Sequence, residues 1–244
     1  MSSSDLVGRR AKLSPAKHAL LQELLRGKRS AAAAPATIPR RPEQSFAPLS
    51  FAQQRLWFVE QLAPGDAAYN IPAALRLKGE LNIPTLERSL NEIISRHEAL
   101  RGSFQVIDGK PVQVIAPALK LGLPIIDLRQ LAEHEHEAEV RRLATNEAHL
   151  SFDLEHGPLL RARVIRTGAT EHVLLFTMHH IVSDAWSTGV LVRELGELYE
   201  AYSAGKPSPL APLPVQYPDF AHWQREHLQG AVLDNHLSYW KQQL

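Results

Sequence analysis

Two adjacent histidines followed closely by an aspartate form the most reactive cluster in the chain, Thr177-Met178-His179-His180-Ile181-Val182-Ser183-Asp184-Ala185-Trp186-Ser187. An imidazole ordinarily titrates near neutral pH, so a positioned one suits proton transfer. In strand conformation His179 and His180 point to opposite faces. They then cannot share one metal ion without a bend, and no metal is expected there. One ring is expected to face a cavity as base, the other to face the core and hold the turn. Asp184, at what reads as a buried turn, needs a partner, because an unpaired buried carboxylate is costly. An arginine is the natural one, since its fork meets a carboxylate bidentately. Composition does not choose among the arginines.

The elements that must position this cluster are legible around it. VLLFTMH ahead of it suits a buried strand, and a helix follows over about 185–203. A polar cluster between such a strand and helix is a common place for active groups in α/β proteins. Residues 159–166 and 172–179 read as an antiparallel pair turning at Thr167-Gly168. Upstream, Ser50 caps a helix in FAQQRLWFVEQLA, which Pro64-Gly65 ends. Residues 71–77 alternate as a strand, and Pro72 places it at a sheet edge or strand start. Asn82 opens a helix with Leu86, Leu90, Ile93, Ile94 and His97 on one side. SFQVI and KPVQVI flank Asp108-Gly109, a strong hairpin signal. A strand at 123–128 leads to a charged helix at about 131–150, where His134-Glu135-His136-Glu137 reads as a solvated face. After a proline-rich loop, two helical segments at 219–228 and 234–244 end the chain. The pattern is an α/β sandwich of helices on a mixed, mainly antiparallel sheet. Trp57, Trp186, Trp223 and Trp240 are read as core residues, with tunnel lining as the alternative.

Composition narrows the function classes. The chain has 244 residues, 44% of them apolar and 22% charged, ordinary values for a folded protein, and no cysteine. Disulfides, thiolate metal sites and a cysteine nucleophile are excluded. Glycine-rich phosphate cradles and the G-x-S-x-G elbow do not occur. Residues 1–41 carry a charge of +7, which leaves −6 for residues 42–244. The body has no basic stripe with interleaved aromatics, so nucleic acid is not an expected ligand. No run of about 18 apolar residues suggests a membrane span, and MSSSDLVGRR has no signal-peptide core, so the expected compartment is the cytoplasm. Residues 1–45 read as a basic leader, with a short helix after Ser14-Pro15 and an Ala/Pro linker at 30–45. The leader is either a docking element for an acidic partner or a solvated tether.

HHIVSDAW resembles the HHxxxDG signature of the condensation domains of nonribosomal peptide synthetases, in the subtype that accepts an L-configured donor. LSFAQQRLWFVEQL (49–62), SRHEALRGSF (95–104) and YPDFAHWQR (217–225) are similar to three further segments of that family, in the same order. The resemblance implies a chloramphenicol-acetyltransferase-like fold of two lobes, of which residues 46–244 are the first; the C-terminal lobe is missing. It implies amide formation between a donor acyl thioester and an acceptor aminoacyl thioester. Both ride on 4'-phosphopantetheine arms of peptidyl carrier proteins, and no cofactor is bound by the chain itself. His180 is the implied catalytic residue. His179 and Asp184 support it, with Asp184 paired to Arg96. Arg101 either supports the same site or caps a helix, and Ala185, Trp186 and Ser187 are candidate tunnel residues. Ala185 replaces the glycine of the signature, which matters if that position needs positive φ. Two alternatives remain: an inactive lobe that binds carrier proteins or a partner chain, and an epimerisation or O-acyltransferase relative. Either way, apolar surface is expected to lie uncovered where the second lobe is missing.

Overall fold

The computed structural model describes residues 37–42 and 45–244, and Pro39–Leu244 form one compact unit. The helix and most of the linker expected in the leader lie outside the described residues.

Seven strands and six helices follow one another in the described chain: β1 (Phe46–Pro48), α1 (Phe51–Leu62), β2 (Asn70–Lys78), α2 (Ile83–Arg96), β3 (Gly102–Ile107), β4 (Lys110–Ile115), β5 (Ile125–Asp127), α3 (Glu133–His149), β6 (Leu160–Arg166), β7 (Glu171–His179), α4 (Ala185–Ser203), α5 (Tyr217–His227) and α6 (Gly230–Gln243). The main sheet has the order β2-β7-β6-β5; only β5 and β6 run parallel. Pro72 sits on the edge strand β2, where a missing N–H leaves no gap in the ladder. A second, antiparallel sheet has the order β1-β4-β3.

β7 lies between β2 and β6, and His172 to His179 are all buried. Both its faces are covered. Leu174, Phe176 and Met178 pack with Leu90, Ile93 and Ile94 of α2 and with Leu191, Leu195 and Leu198 of α4. Val173 and Leu175 pack on the other face with Val140 of α3. Two covered faces explain why the strand is a continuous apolar run rather than an alternating one. Burying each such side chain contributes roughly 1.5–3 kcal/mol.

The local signals act as their chemistry dictates. Ser50 and Gln53 form a reciprocal capping box at the start of α1. The Asn82 side chain accepts from Thr85 N–H and caps α2. The hairpin turns through Asp108 and Gly109 at φ 51° and 73°, the left-handed pair that a tight β-hairpin requires.

Arg40 and Arg41 count with the basic leader by sequence, yet they belong to the body. The Arg41 side chain is only 1% exposed and reaches Asp219 at 2.7 Å and Glu98 at 2.8 Å. Asp219 is fully buried at the start of α5. It also accepts from Arg40 Nη1 at 3.2 Å and Gln216 N–H at 2.9 Å. Burial pushes its pKa up, but the Gln216 and Arg41 amides and the Arg41 guanidinium outweigh burial and hold it below the usual carboxylate value.

Candidate active site at the end of the central strand

The end of β7 meets the start of α1, and the segment after α2 meets the start of α5. Gln53, buried in α1, donates from Nε2 to the Ile181 carbonyl at 3.3 Å. Gln216, ahead of α5, donates to the Arg96 carbonyl at 2.8 Å and accepts from Glu98 N–H at 3.1 Å. One amide thus ties α1 to the histidine turn and the other ties the segment after α2 to the start of α5, and Arg225 of α5, donating to the Leu49 carbonyl at 2.7 Å, joins the two pairs. Gln53 is a positioning residue that the sequence reading missed. The only signal for it is its third place in a capping box.

The two histidines take opposite roles. His179 is 2% exposed, with its ring against Tyr69 and Phe152. Its Nδ1 accepts from Ile181 N–H at 3.1 Å, which fixes the chain as it leaves β7. Desolvation, helped by the neighbouring His180, pushes its pKa down to about 4. His179 is therefore a neutral core group that holds the turn. His180 is exposed, and its backbone N–H extends the ladder to Tyr69 O at 2.8 Å. Its Nδ1 lies 2.8 Å from the Ser183 carbonyl. A carbonyl only accepts, so Nδ1 carries the proton and the neutral ring presents its lone pair at Nε2. A ring fixed by one nitrogen with the other bare is the arrangement a base requires.

The expected pairing of Asp184 with Arg96 is not formed. Asp184 is exposed at the N-cap of α4 and accepts from Ser187 N–H at 2.8 Å and Ser187 Oγ at 2.6 Å. Those two bonds hold its pKa below the ordinary carboxylate value. Arg96 instead donates from Nε to Glu194 Oε1 at 3.3 Å, and His97 donates from Nε2 to Glu194 Oε2 at 2.7 Å. The geometry explains the exchange. Glu194 stands ten residues beyond Asp184 on α4, about 15 Å along the axis at 1.5 Å per residue. It is the buried acid that faces the end of α2, and Asp184 is too far along the helix to be met by the same guanidinium.

Arg101 caps α2, donating to the carbonyls of Ile94, Ser95 and Ala116. Ala185 opens α4 and is not among the residues with positive φ, so its methyl group meets no backbone demand for glycine. Ser187 is used by the Asp184 cap. Trp186 is 85% exposed and Trp240 56% exposed, which corrects the reading of both as core residues. Among the described residues, no three His, Asp or Glu side chains converge as a metal site, and no helix is long and apolar enough to cross a membrane.

α6 buries no residue. Leu233, Leu237, Trp240 and Leu244 recur at helical spacing and are all exposed. α6 thus carries a stripe of exposed apolar side chains.

The helix-covered mixed sheet is shared with known proteins. The starter condensation domain of rhizomide synthetase superimposes with a TM-score of 0.73 at 20% identity, over 82% of this chain and 48% of that one, a likeness of fold. The X-domain from teicoplanin biosynthesis gives 0.73 at 28% identity, over 84% and 45%. In sequence, one of the linear gramicidin synthase polypeptides of Brevibacillus parabrevis is 54% identical over 203 residues, 83% of this chain and 3% of that protein. Phosphinothricin tripeptide synthetase PhsC from Streptomyces viridochromogenes is 42% identical over 244 residues, 98% of this chain and 22% of that protein. The model of the condensation domain family matches residues 43–244, and the chain belongs to that family. It spans about half the length of the solved structures it resembles and a small part of the synthetases.

Proposed function

We propose that residues 46–244 are the N-terminal lobe of a condensation domain that joins a donor acyl thioester to an acceptor aminoacyl thioester. The observation that carries this reading is the exposed His180 ring, anchored through Nδ1 with Nε2 bare. The acceptor's amine nitrogen attacks the donor thioester carbonyl and forms the new C–N bond. His180 Nε2 takes the proton that the nitrogen loses, or orients the amine for attack. The tetrahedral adduct then breaks its C–S bond, and the departing sulfur receives the proton. General acid–base help of this kind contributes about 10²–10⁴-fold, and holding two tethered reactants together supplies much of the rest. Both substrates are carried as thioesters on phosphopantetheine arms of peptidyl carrier proteins, and the cytoplasm is the compartment in which we place the reaction. Asp184 serves the site by capping α4. His179, Gln53 and Ser183 hold the turn.

The test is His180→Ala in the complete domain, with amide product from loaded carriers followed by mass spectrometry. The expected result is an unchanged thermal transition with product formation lowered by about 10²–10⁴-fold. Unimpaired product formation overturns the assignment.

A second reading applies to the 244 residues alone, and the bare apolar stripe on α6 favours it. In that reading these residues bind partners and do not turn over. Product from this chain alone refutes it; deuterium entering the α-carbon of a carrier-bound residue from solvent would point to epimerisation instead.

A further inference from the structure

A cavity of about 250 Å³ lies between the end of α2 and the first two turns of α4, directly behind the histidine turn. Its walls are mostly apolar: Ile93, Leu100, Met178, Val182, Val190 and Leu191. Two features tie it to the site. Ser183, whose carbonyl anchors His180, is part of its lining. Trp186, from the same turn, also borders it, with an indole left 85% exposed. An aromatic ring beside an apolar cavity and otherwise facing water has contact surface to offer a ligand.

The polar lining is sparse and directional. His97 borders the cavity and donates Nε2–H to buried Glu194. In the neutral ring that bond leaves Nδ1 as an acceptor. Nothing in the proposed reaction uses His97 or this space.

We propose that the cavity is a subsite for one compact apolar side chain of an aminoacyl substrate, an aromatic ring above all. A space of about 250 Å³ beside the histidine turn admits a benzyl or hydroxybenzyl group. A mostly apolar concave wall with few polar groups is the usual make-up of a small-molecule site. A phenol O–H or indole N–H would donate a hydrogen bond to His97 Nδ1, and the ring would stack near Trp186. This deepens the proposed function and rests on it only for the identity of the ligand's source.

The experiment is direct binding to the 244-residue chain, so that it does not depend on turnover. N-acetylphenylalaninamide and N-acetyltyrosinamide are titrated into isotope-labelled protein, with N-acetylalaninamide as control, and amide shifts are followed by NMR. Saturable millimolar binding is expected for both aromatic probes, with shifts centred on His97, Ser183, Ser187 and Val190 and none from the alanine probe. Val190→Phe fills the cavity and is expected to weaken binding at least tenfold; Ala99→Val does the same with a smaller change, should the first variant fail to fold. Absence of saturable shifts, or unchanged affinity in a folded filled variant, overturns the subsite. Binding as described together with an active His180→Ala domain would sink the proposed role of His180 and leave the subsite standing.

Discussion

Asp219→Asn is the sharpest test of how the site is held. The substitution keeps shape and removes charge. The Arg41 guanidinium, 1% exposed, keeps its contact with Glu98 at 2.8 Å. The change also exchanges an acceptor-only group for one that carries an NH2, facing the four donors on Arg40, Arg41 and Gln216. Removing one member of a buried ion pair costs about 3–5 kcal/mol. Glu98 still compensates Arg41, so the lower end applies, about 3 kcal/mol. For a domain of this size each kcal/mol moves the melting temperature by about 2–4 °C, which gives a fall of about 6–12 °C. Urea denaturation followed by circular dichroism measures the free energy, and calorimetry measures Tm. Asp153→Asn, which breaks an exposed pair with His156, is the control and should leave the transition in place. The native carboxylate has a lowered pKa, so its contribution is present above the unfolded value near 3.8 and is lost as pH falls through the folded one. The difference between wild type and Asp219→Asn should therefore shrink only in strong acid. A loss under about 1 kcal/mol at neutral pH would show that the buried pair does not hold α5 against the segment that precedes β1.

Three further outcomes are expected. His179 has its folded pKa near 4 against about 6.5 unfolded, so stability is complete above pH 6.5 and falls by up to about 3 kcal/mol between there and pH 4; a ring that titrates near 6.5 by NMR contradicts its burial. Asp184→Ala removes a helix cap and should cost about 1 kcal/mol, with Asp184→Asn nearly neutral; a loss of about 3 kcal/mol or more would restore the buried role expected from the sequence. A double-mutant cycle on Arg96 and Glu194 should give a coupling above about 1 kcal/mol, while Arg96 and Asp184 should be additive within about 0.3–0.5 kcal/mol; the reverse pattern refutes the exchange of partners.

What can be read in the sequence is local. Ser50, Asn82 and Asp108-Gly109 announce their elements because caps and tight turns depend on a few neighbouring atoms. The opposite fates of His179 and His180 follow from strand alternation alone. β1 escapes the sequence because three residues, one of them proline, carry no period; its pairing with β4 is a tertiary event. The partners of Arg96 and Arg41 are out of reach for the same reason. Arg96 meets an acid 98 residues away and Arg41 one 178 residues away, and charge pairing in sequence gives no distance. Trp186 and Trp240 are misjudged because residue type sets a preference for burial but not the presence of a covering surface.

The doubly flanked position of β7 has one more consequence. Its register is pinned on both sides, to β2 from Glu171 to His179 and to β6 from His172 to Met178. A frame shift of a single residue would turn every side chain over, burying the ring of His180 and driving its predecessor into water. Two ladders would have to break for that to happen. Which of two chemically identical imidazoles is free to accept a proton is thus decided by parity along a clamped strand. Deleting one residue anywhere between Val173 and Met178 should exchange or abolish that choice without altering either histidine.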